Sequence, residues 1–152
     1  MLTRRTKYGL KALLLLAREH ERGPLLASEI AEREGIPTKF LQLILLDLAR
    51  RGIVQGRRGR GGGYRLARPP AEIHFGEVIR TLEGPLALTP CVSVTAYRRC
   101  EECADEEACG IRLVMKEVRD STARLLEGAD LASVNEQIDR KGRAARARRR
   151  KR

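Results

Sequence analysis

Four cysteines are the residues with the clearest chemical potential in this chain of 152 residues, and they are clustered. Eight residues separate Cys91 from Cys100, two separate Cys100 from Cys103, and five separate Cys103 from Cys109. Thiolates spaced in this way bind iron–sulfur clusters or tetrahedral zinc, and two neighbouring thiols also form reversible disulfides. We therefore predict a metal site or a thiol switch built from these four cysteines.

The spacing alone leaves all three chemistries open. Zinc suits the pair Cys100 and Cys103 with two further thiolates nearby, four thiolates hold an iron–sulfur cluster most simply, and a disulfide between Cys100 and Cys103 needs no metal. No secretory signal is visible, and the longest early apolar run, residues 12–17, is too short to cross a membrane. We expect a cytoplasmic protein without a membrane partner. Thiols stay reduced in the cytoplasm, so a metal site is favoured over bare thiols.

The charge of the chain is unevenly distributed. Basic residues outnumber acids by 16 to 9 in residues 1–83 and by 9 to none in residues 140–152, whereas residues 84–139 carry 6 basic and 11 acidic residues. Such a cationic excess makes the chain a candidate for binding nucleic acid. Only 3% of the residues are aromatic while 42% are hydrophobic, which favours aliphatic packing between helices. We predict a mainly α fold.

Residues 27–51 have the pattern of two short helices joined by a sharp turn. The turn, residues 35–38, combines a glycine that can take positive φ with a proline that fixes φ. Such a pair predicts a helix-turn-helix, whose second helix enters the major groove with its N-terminal residues facing the base edges. Glutamine can pair with adenine there, and lysine can reach guanine or phosphate. The candidate DNA-binding residues in this stretch are Ser28, Thr38, Lys39 and Gln42.

Two short β-prone runs, residues 53–54 and 64–66, flank a loop rich in arginine and glycine. A hairpin directly after a recognition helix predicts a wing, in which glycines let the backbone approach DNA and an arginine enters a narrow minor groove. The loop is too short for a disordered RNA-binding segment and lacks the spacing of a nucleotide-phosphate loop. The candidate DNA-binding residues of the wing are Arg57, Arg58, Gly59, Arg60, Gly61 and Tyr64.

Beyond the cysteines, residues 111–126 carry apolar residues at near-helical spacing. One face of this predicted helix is too apolar to stay exposed, so we expect it to pack against the same helix of a second copy. A homodimer of this kind would present two recognition helices to a DNA operator with two-fold symmetry. A short helix is predicted for residues 131–138. The purely basic residues 140–152 predict a disordered tail, which either strengthens nonspecific DNA binding through counterion release or is simply tolerated.

The predicted architecture is therefore a mainly α winged helix-turn-helix with a two-stranded wing. It consists of a DNA-binding domain (1–84), a cysteine loop (85–110), a long C-terminal dimerisation helix region (111–139) and the basic tail (140–152). No serine, histidine and acid set and no nucleotide loop is present, so an enzyme is disfavoured. A nonspecific nucleic-acid-binding protein is the other alternative to a sequence-specific one.

The sequence resembles the IscR/NsrR-type family of bacterial winged-helix transcription regulators over residues 1 to about 138. The resemblance rests on LTRRTKYGLKALLLLA, on IPTKFLQLILLDLARRGIV and above all on RRGRGGGYRLARPPAEIHFGEVIRTLEGP. It implies a homodimeric DNA-binding repressor whose DNA binding changes when an iron–sulfur cluster is lost or altered by oxygen, nitric oxide or iron supply. The resemblance carries over a set of wing residues, with Arg58 expected in the minor groove: Arg58, Gly59, Gly61, Gly62, Gly63 and Tyr64.

The resemblance also implies which cysteines hold the cluster, namely Cys91, Cys103 and Cys109. Relatives complete the ligand set with a histidine or an N-terminal acid, but Arg112 and Lys7 occupy those positions here. Cys100 is therefore our candidate fourth ligand, and a 2Fe–2S cluster is favoured over a 4Fe–4S cluster. A zinc-bound regulator and a thiol-disulfide-switched regulator of the same fold are the alternatives.

Overall fold

The computed structural model describes residues 2–150, which form six α-helices and one two-stranded antiparallel sheet. The helices are α1 (Arg4–Arg18), α2 (Ala27–Glu34), α3 (Thr38–Arg50), α4 (Phe75–Leu82), α5 (Gly110–Glu127) and α6 (Leu131–Arg150). Between α3 and α4 lie the strands β1 (Val54–Arg57) and β2 (Gly63–Leu66). This order confirms the predicted mainly α fold with a winged helix-turn-helix. No helix in the described part of the chain has the length and apolar character needed to span a bilayer.

The helix-turn-helix is formed by α2 and α3, which pack against each other. Gly35 ends α2 in a left-handed conformation with φ of 64°, which glycine adopts without strain. Ile36 is buried and anchors the turn, and Pro37 is the N-cap of α3. Because the φ of proline is already fixed, the chain passes from one helix to the next within three residues.

The core is almost wholly aliphatic, as the composition predicted. Four residues at helical spacing on one face of α3 are completely buried: Leu41, Ile44, Leu45 and Leu48. They belong to one cluster with Leu13 and Leu16 of α1 and Ile30 of α2. Full burial of such a side chain contributes about 1.5–3 kcal/mol. This packing holds α3 firmly against the body and leaves its opposite face in solvent.

The helices α5 and α6 differ in how they contact the winged domain. α5 packs against α4, but none of its residues is fully buried. α6 packs along α1: Leu131 is completely buried, and Asn135 donates from Nδ2 to the carbonyl oxygen of Leu14 at 3.0 Å. The region predicted as one dimerisation unit is therefore divided, because α6 joins the core of the winged domain and only α5 stays outside it.

The basic tail differs from its prediction. We expected disorder from residue 140, but α6 continues as a helix to Arg150. Alanine and arginine are among the strongest helix formers, and the anchored first turns of α6 remove the cost of helix nucleation. All side chains from residue 140 to residue 149 are exposed. The last two residues of that prediction, 151 and 152, lie outside the described residues.

Candidate nucleic-acid interface and cysteine loop

The start of α2, the start of α3 and the wing surround one open groove. Seven predicted DNA-binding residues line it: Ser28, Thr38, Gln42, Arg57, Arg58, Gly59 and Tyr64. The other three, Lys39, Arg60 and Gly61, are exposed outside this lining. We call the surface formed by these ten residues the reading face. The fold thus gathers residues from three separate stretches of the sequence around one surface.

A pair of backbone hydrogen bonds fixes the wing to the body. The N–H of Leu25 donates to the carbonyl oxygen of Tyr64 at 2.9 Å, and the N–H of Tyr64 donates to that of Leu25 at 2.7 Å. Gly63 has φ of 138°, and a Cβ on it would lie 2.5 Å from the Leu25 oxygen. Sequence reasoning linked the wing glycines to DNA and missed this contact. Leu25 pairs with the wing as one isolated residue, and a single residue cannot show the periodic pattern from which a strand is predicted.

The cations of the reading face lack the acidic partners that many other cations of the protein have. Several arginines elsewhere are paired with acids, as Arg33 is with Glu29 at 2.5 Å and Arg68 with Glu77 at 2.6 Å. Among the side chains that the structure describes, no carboxylate lies within ion-pair distance of Lys39, Arg57, Arg58 or Arg60. Uncompensated cations on one surface attract a polyanion.

Two of the four cysteines affect each other's protonation. Cys103 Sγ donates to the carbonyl oxygen of Asp105 at 3.7 Å, and a hydrogen-bond interaction between the Cys103 and Cys109 thiols shifts the pKa of both groups. Cys109 is the N-cap of α5, and a hydrogen bond from the backbone N–H of Arg112 lowers the pKa of its thiol. The interaction with the Cys103 thiol lowers this pKa further. The same interaction raises the pKa of Cys103 to about 11. In this pair Cys109 is the residue that favours the thiolate, and Cys103 is the one that keeps its proton.

A tyrosine closes the cysteine loop on itself. The Tyr97 hydroxyl donates to the two carboxylate oxygens of Glu106 at 2.9 and 2.8 Å, and this hydrogen bond raises the pKa of Tyr97. Between these two residues the N–H of Cys103 donates to the carbonyl oxygen of Cys100 at 3.4 Å. Cys100 itself is exposed. Sequence reasoning missed Tyr97 and Glu106, because a tyrosine and an acid nine residues apart form no recognisable motif.

Cys91 is held elsewhere. It belongs to a short 3-10 turn, Pro90–Val92, that packs on α5, and its Sγ lies 3.5 Å from Thr89 Oγ1. In the described part of the chain, no three Cys, His, Asp or Glu side chains form a group that could hold a metal ion. The four thiols have the donor chemistry of an iron–sulfur or zinc site, but only Cys103 and Cys109 have the required juxtaposition. Cys91 and Cys100 do not join them in one ligand group.

The helix α5 carries an exposed apolar stripe along its outer side. Its members follow one another at intervals of three, four and seven residues, which places them on one face: Ile111, Val114, Val118 and Leu125. A neighbouring face of α5 is turned toward the body and includes Leu126, which packs against the core. We call the four exposed residues the α5 stripe.

Comparisons with known proteins agree with this architecture. The family model for Rrf2, iron-dependent transcriptional regulator, matches residues 2–137. An rrf2-like helix-turn-helix transcriptional regulator of Rhodobacter capsulatus is 46% identical over 137 residues, which cover 88% of this chain and 91% of the relative. The structure of CymR, the global cysteine regulator of B. subtilis, aligns with a TM-score of 0.74 at 26% identity over 90% of this chain and 97% of that one. T. potens IscR aligns with a TM-score of 0.71 at 28% identity over 91% and 88%.

The family match extends from α1 into α6 and so includes the reading face, the cysteine loop and the α5 stripe. It ends before the basic part of α6. The likeness to IscR confirms the resemblance found in the sequence motifs. The relatives are transcription regulators and not enzymes, which agrees with the absence of a catalytic motif from the sequence. This chain therefore belongs to the Rrf2 family of iron-dependent transcriptional regulators.

Proposed function

We propose that this protein is a repressor that binds a specific promoter operator through its reading face. The observation that carries the proposal is the convergence of α2, α3 and the wing on one groove whose cations have no acidic partners among the described residues. Family membership supplies the transcriptional role. The geometry supports the assignment of the contact surface, since a recognition helix beside a wing presents its N-terminal residues to the major groove.

In this proposal the start of α3 lies in the major groove. Gln42 pairs with an adenine, and Lys39 reaches a guanine or a phosphate. Ser28 and Thr38 line the same groove of the protein, and their hydroxyls donate to phosphate oxygens at its edge. The base contacts give specificity, while the phosphate contacts fix the register of α3 on the duplex.

The wing contacts the adjacent minor groove and its phosphates. Arg58 enters the minor groove, and Arg57 and Arg60 neutralise backbone phosphates on either side. Gly59 and Gly61 have φ of 89° and 72°, and no atom lies within 4 Å of where their side chains would be. This open tip lets the backbone approach DNA closely. Tyr64 lines the groove and, through its backbone hydrogen bonds to the body, keeps the wing beside α3.

The proposed active form is a homodimer. The α5 stripe is a row of exposed apolar side chains on one side of the helix, and a second copy of the same helix is its natural complement. Pairing of two α5 helices would give a two-fold axis and two reading faces, which matches an operator with two-fold symmetry. The apolar spacing and the exposure of the stripe support this part of the proposal.

The proposed sensor is the cysteine loop. An iron–sulfur cluster would be held by Cys91, Cys103 and Cys109, with Cys100 as the fourth ligand, and would require the loop to bring Cys91 and Cys100 to the other two. Such a cluster would supply chemistry sensitive to oxygen, nitric oxide and iron supply. The chain's own contribution is to start α5 at Cys109 and to favour the thiolate there. A change at this cysteine therefore acts directly on the first turn of the helix that bears the α5 stripe.

The contact between Cys103 and Cys109 supports a second candidate, a thiol switch within the same loop. The Cys109 thiolate would attack a peroxide, which takes up two electrons and a proton and leaves as water, so that a sulfenic acid forms on Cys109. The Cys103 thiol would then attack this sulfur, and one disulfide and a second water would result. The pair in contact differs from Cys100 and Cys103, which the sequence favoured for a disulfide. Zinc held by the same cysteines is a third way to order the loop.

Two measurements test the proposed function. Binding to a fragment of the protein's own promoter should survive a large excess of random DNA, whereas uniform affinity for all fragments would contradict a specific regulator. Anaerobic isolation followed by iron, sulfide and zinc assay should give iron and acid-labile sulfide. Stoichiometric zinc without sulfide would reject the cluster, and metal-free protein with a Cys103–Cys109 disulfide after peroxide treatment would favour the thiol switch.

A further inference from the structure

Two leucines are exposed on the recognition helix. Leu43 is 60% exposed and Leu46 is 44% exposed, although the rest of α3 buries its leucines completely. At 100° per residue, both lie on the side of α3 opposite the buried stripe. Lys39 and Arg50 are on the same side, one turn before Leu43 and one turn after Leu46. The outward face of α3 is therefore apolar in its middle, with Lys39 at its start and, at its end, Arg50, which is paired with Asp47 at 3.2 Å.

The surroundings of these leucines indicate what covers them. Leu46 lies one turn after Gln42 on the same side of α3, and Gln42 lines the groove of the reading face, so the exposed leucines neighbour the proposed DNA contact. Lys39 and the wing arginines beside it have no acidic partners among the described residues, and this charge complements a polyanion. A second copy of the chain already has an apolar complement of its own in the α5 stripe. DNA is the occupant that fits both the charge and the position.

The major groove offers one apolar group to such side chains. Thymine projects its C5 methyl group there, and apolar side chains recognise thymine through this methyl. The face of a recognition helix opposite its core is the face turned toward the groove floor. We infer that Leu43 and Leu46 read thymine methyl groups, so that Gln42 and the leucines together favour half-sites rich in A·T pairs. This inference rests on the proposed function and adds the class of base that the helix selects.

The test begins with an operator obtained by selecting random-sequence DNA on the full-length protein. Each thymine of one half-site is then replaced by deoxyuridine, which removes only the methyl group. We expect at least one replacement to weaken binding of the unaltered protein by about fourfold, the effect of one buried methyl-sized group. The same replacement should change binding of the Leu43→Ala or the Leu46→Ala variant by less than about 1.5-fold, because the methyl has then lost its partner.

Leu88→Ala is the matched control, since Leu88 is 72% exposed but lies outside α3 and the wing. This variant should keep the full sensitivity to deoxyuridine. The inference is overturned if deoxyuridine binds as well as thymine at every position, or if both α3 variants remain as sensitive as the unaltered protein. It is also overturned if Leu43→Ala changes the sedimentation of the free protein, since the leucines would then contact protein. Failure to select any operator would instead reject the proposed function itself.

Discussion

Arg80 Nη2 of α4 donates to Glu127 Oε1 of α5 at 2.8 Å, and this ion pair joins the winged domain to the last turn of the helix that carries the α5 stripe. Next to it the N–H of Phe75 donates to the carbonyl oxygen of Ala129 at 2.9 Å. The end of α5 is therefore attached to α4 by side-chain and backbone contacts. If α5 transmits a signal, we expect it to reach the winged domain at this junction.

Glu127→Gln should weaken that transmission without unfolding the protein. Both partners are partly exposed, so the loss should reduce the free energy of unfolding by less than about 1 kcal/mol. The operator affinities of the reduced and the oxidised protein should differ less in this variant than in the unaltered protein, by a factor of about five or more. Arg22→Gln, which removes a surface ion pair to Glu19 on α1, is the control. An equal change of the ratio in both variants would contradict a specific role for Glu127.

Val114→Lys should convert the proposed dimer into a monomer. The substitution places a charge in the middle of the α5 stripe, where pairing of two helices would bury it without a partner. Sedimentation at micromolar concentration should show half the mass of the unaltered protein. Leu113→Lys is the control, because Leu113 is also exposed but lies on the opposite side of α5. A monomeric unaltered protein, or equal effects of the two substitutions, would reject pairing through the stripe.

Gly63→Ala should destabilise the wing by about 1–3 kcal/mol, the cost of a strained backbone conformation. Gly63 has φ of 138° and leaves no room for a Cβ beside the Leu25 oxygen. Chemical denaturation should register the loss, and operator binding should fall with it. Gly142→Ala should instead raise stability by up to about 1 kcal/mol, because Gly142 lies inside α6 with open space around it. Unchanged stability of Gly63→Ala would show that the wing is not fixed at Leu25.

Ending the chain after Asp139 should reduce the salt dependence of DNA binding. The removed residues include six exposed cations between positions 140 and 149 and no acid. Each lost phosphate contact should lower the slope of log K against log salt by about 0.9. Thermal stability should change little, since the contacts of Leu131 and Asn135 with the body remain. An unchanged slope would show that the basic part of α6 does not contact DNA.

Alkylation of the reduced, metal-free protein should distinguish the two cysteines in contact. The pKa of Cys109 is lowered, so its thiolate fraction and its reaction rate with iodoacetamide should rise at lower pH than for an ordinary cysteine. The pKa of Cys103 is raised to about 11, so its first reaction should require alkaline pH. Peptide mass analysis after brief labelling at neutral pH should find Cys109 modified before Cys103. The reverse order would contradict the opposite shifts of the two pKa values.

The winged helix-turn-helix could be predicted because its signals are local. Gly35 and Pro37 encode the turn, the apolar spacing of α3 encodes its buried face, and glycines around Arg58 encode the hairpin. The residues of the reading face could be predicted from the positions of the helix-turn-helix and the wing. The role of Leu43 and Leu46 could not, because helical spacing identifies the residues that are buried but gives no function to leucines on the exposed face.

The remaining differences come from contacts between residues far apart in sequence. The side chain of Asn135 hydrogen-bonds to the backbone of Leu14 and helps to hold α6 against α1. The composition of the chain does not predict this contact. The spacing of Cys100 and Cys103 favoured that pair, but in the structure the Cys103 thiol interacts with that of Cys109 instead. The spacing of two cysteines in the sequence limits how far apart they can lie, but it does not determine which cysteines the folded loop brings together.

The distance between Cys109 and Glu127 limits how strongly α5 can transmit a small movement. Cys109 precedes the first turn of the helix, whereas Glu127 is at its attached end, and 18 residues of α-helix span about 27 Å. If α5 rotates as a rigid rod about its attached end, a displacement of about 1 Å at Cys109 corresponds to a rotation of the helix by only about 2°. Small adjustments in the loop are therefore attenuated before they reach α4. We therefore expect an effective signal to move the start of α5 by several ångströms, as ordering or release of the whole loop would do.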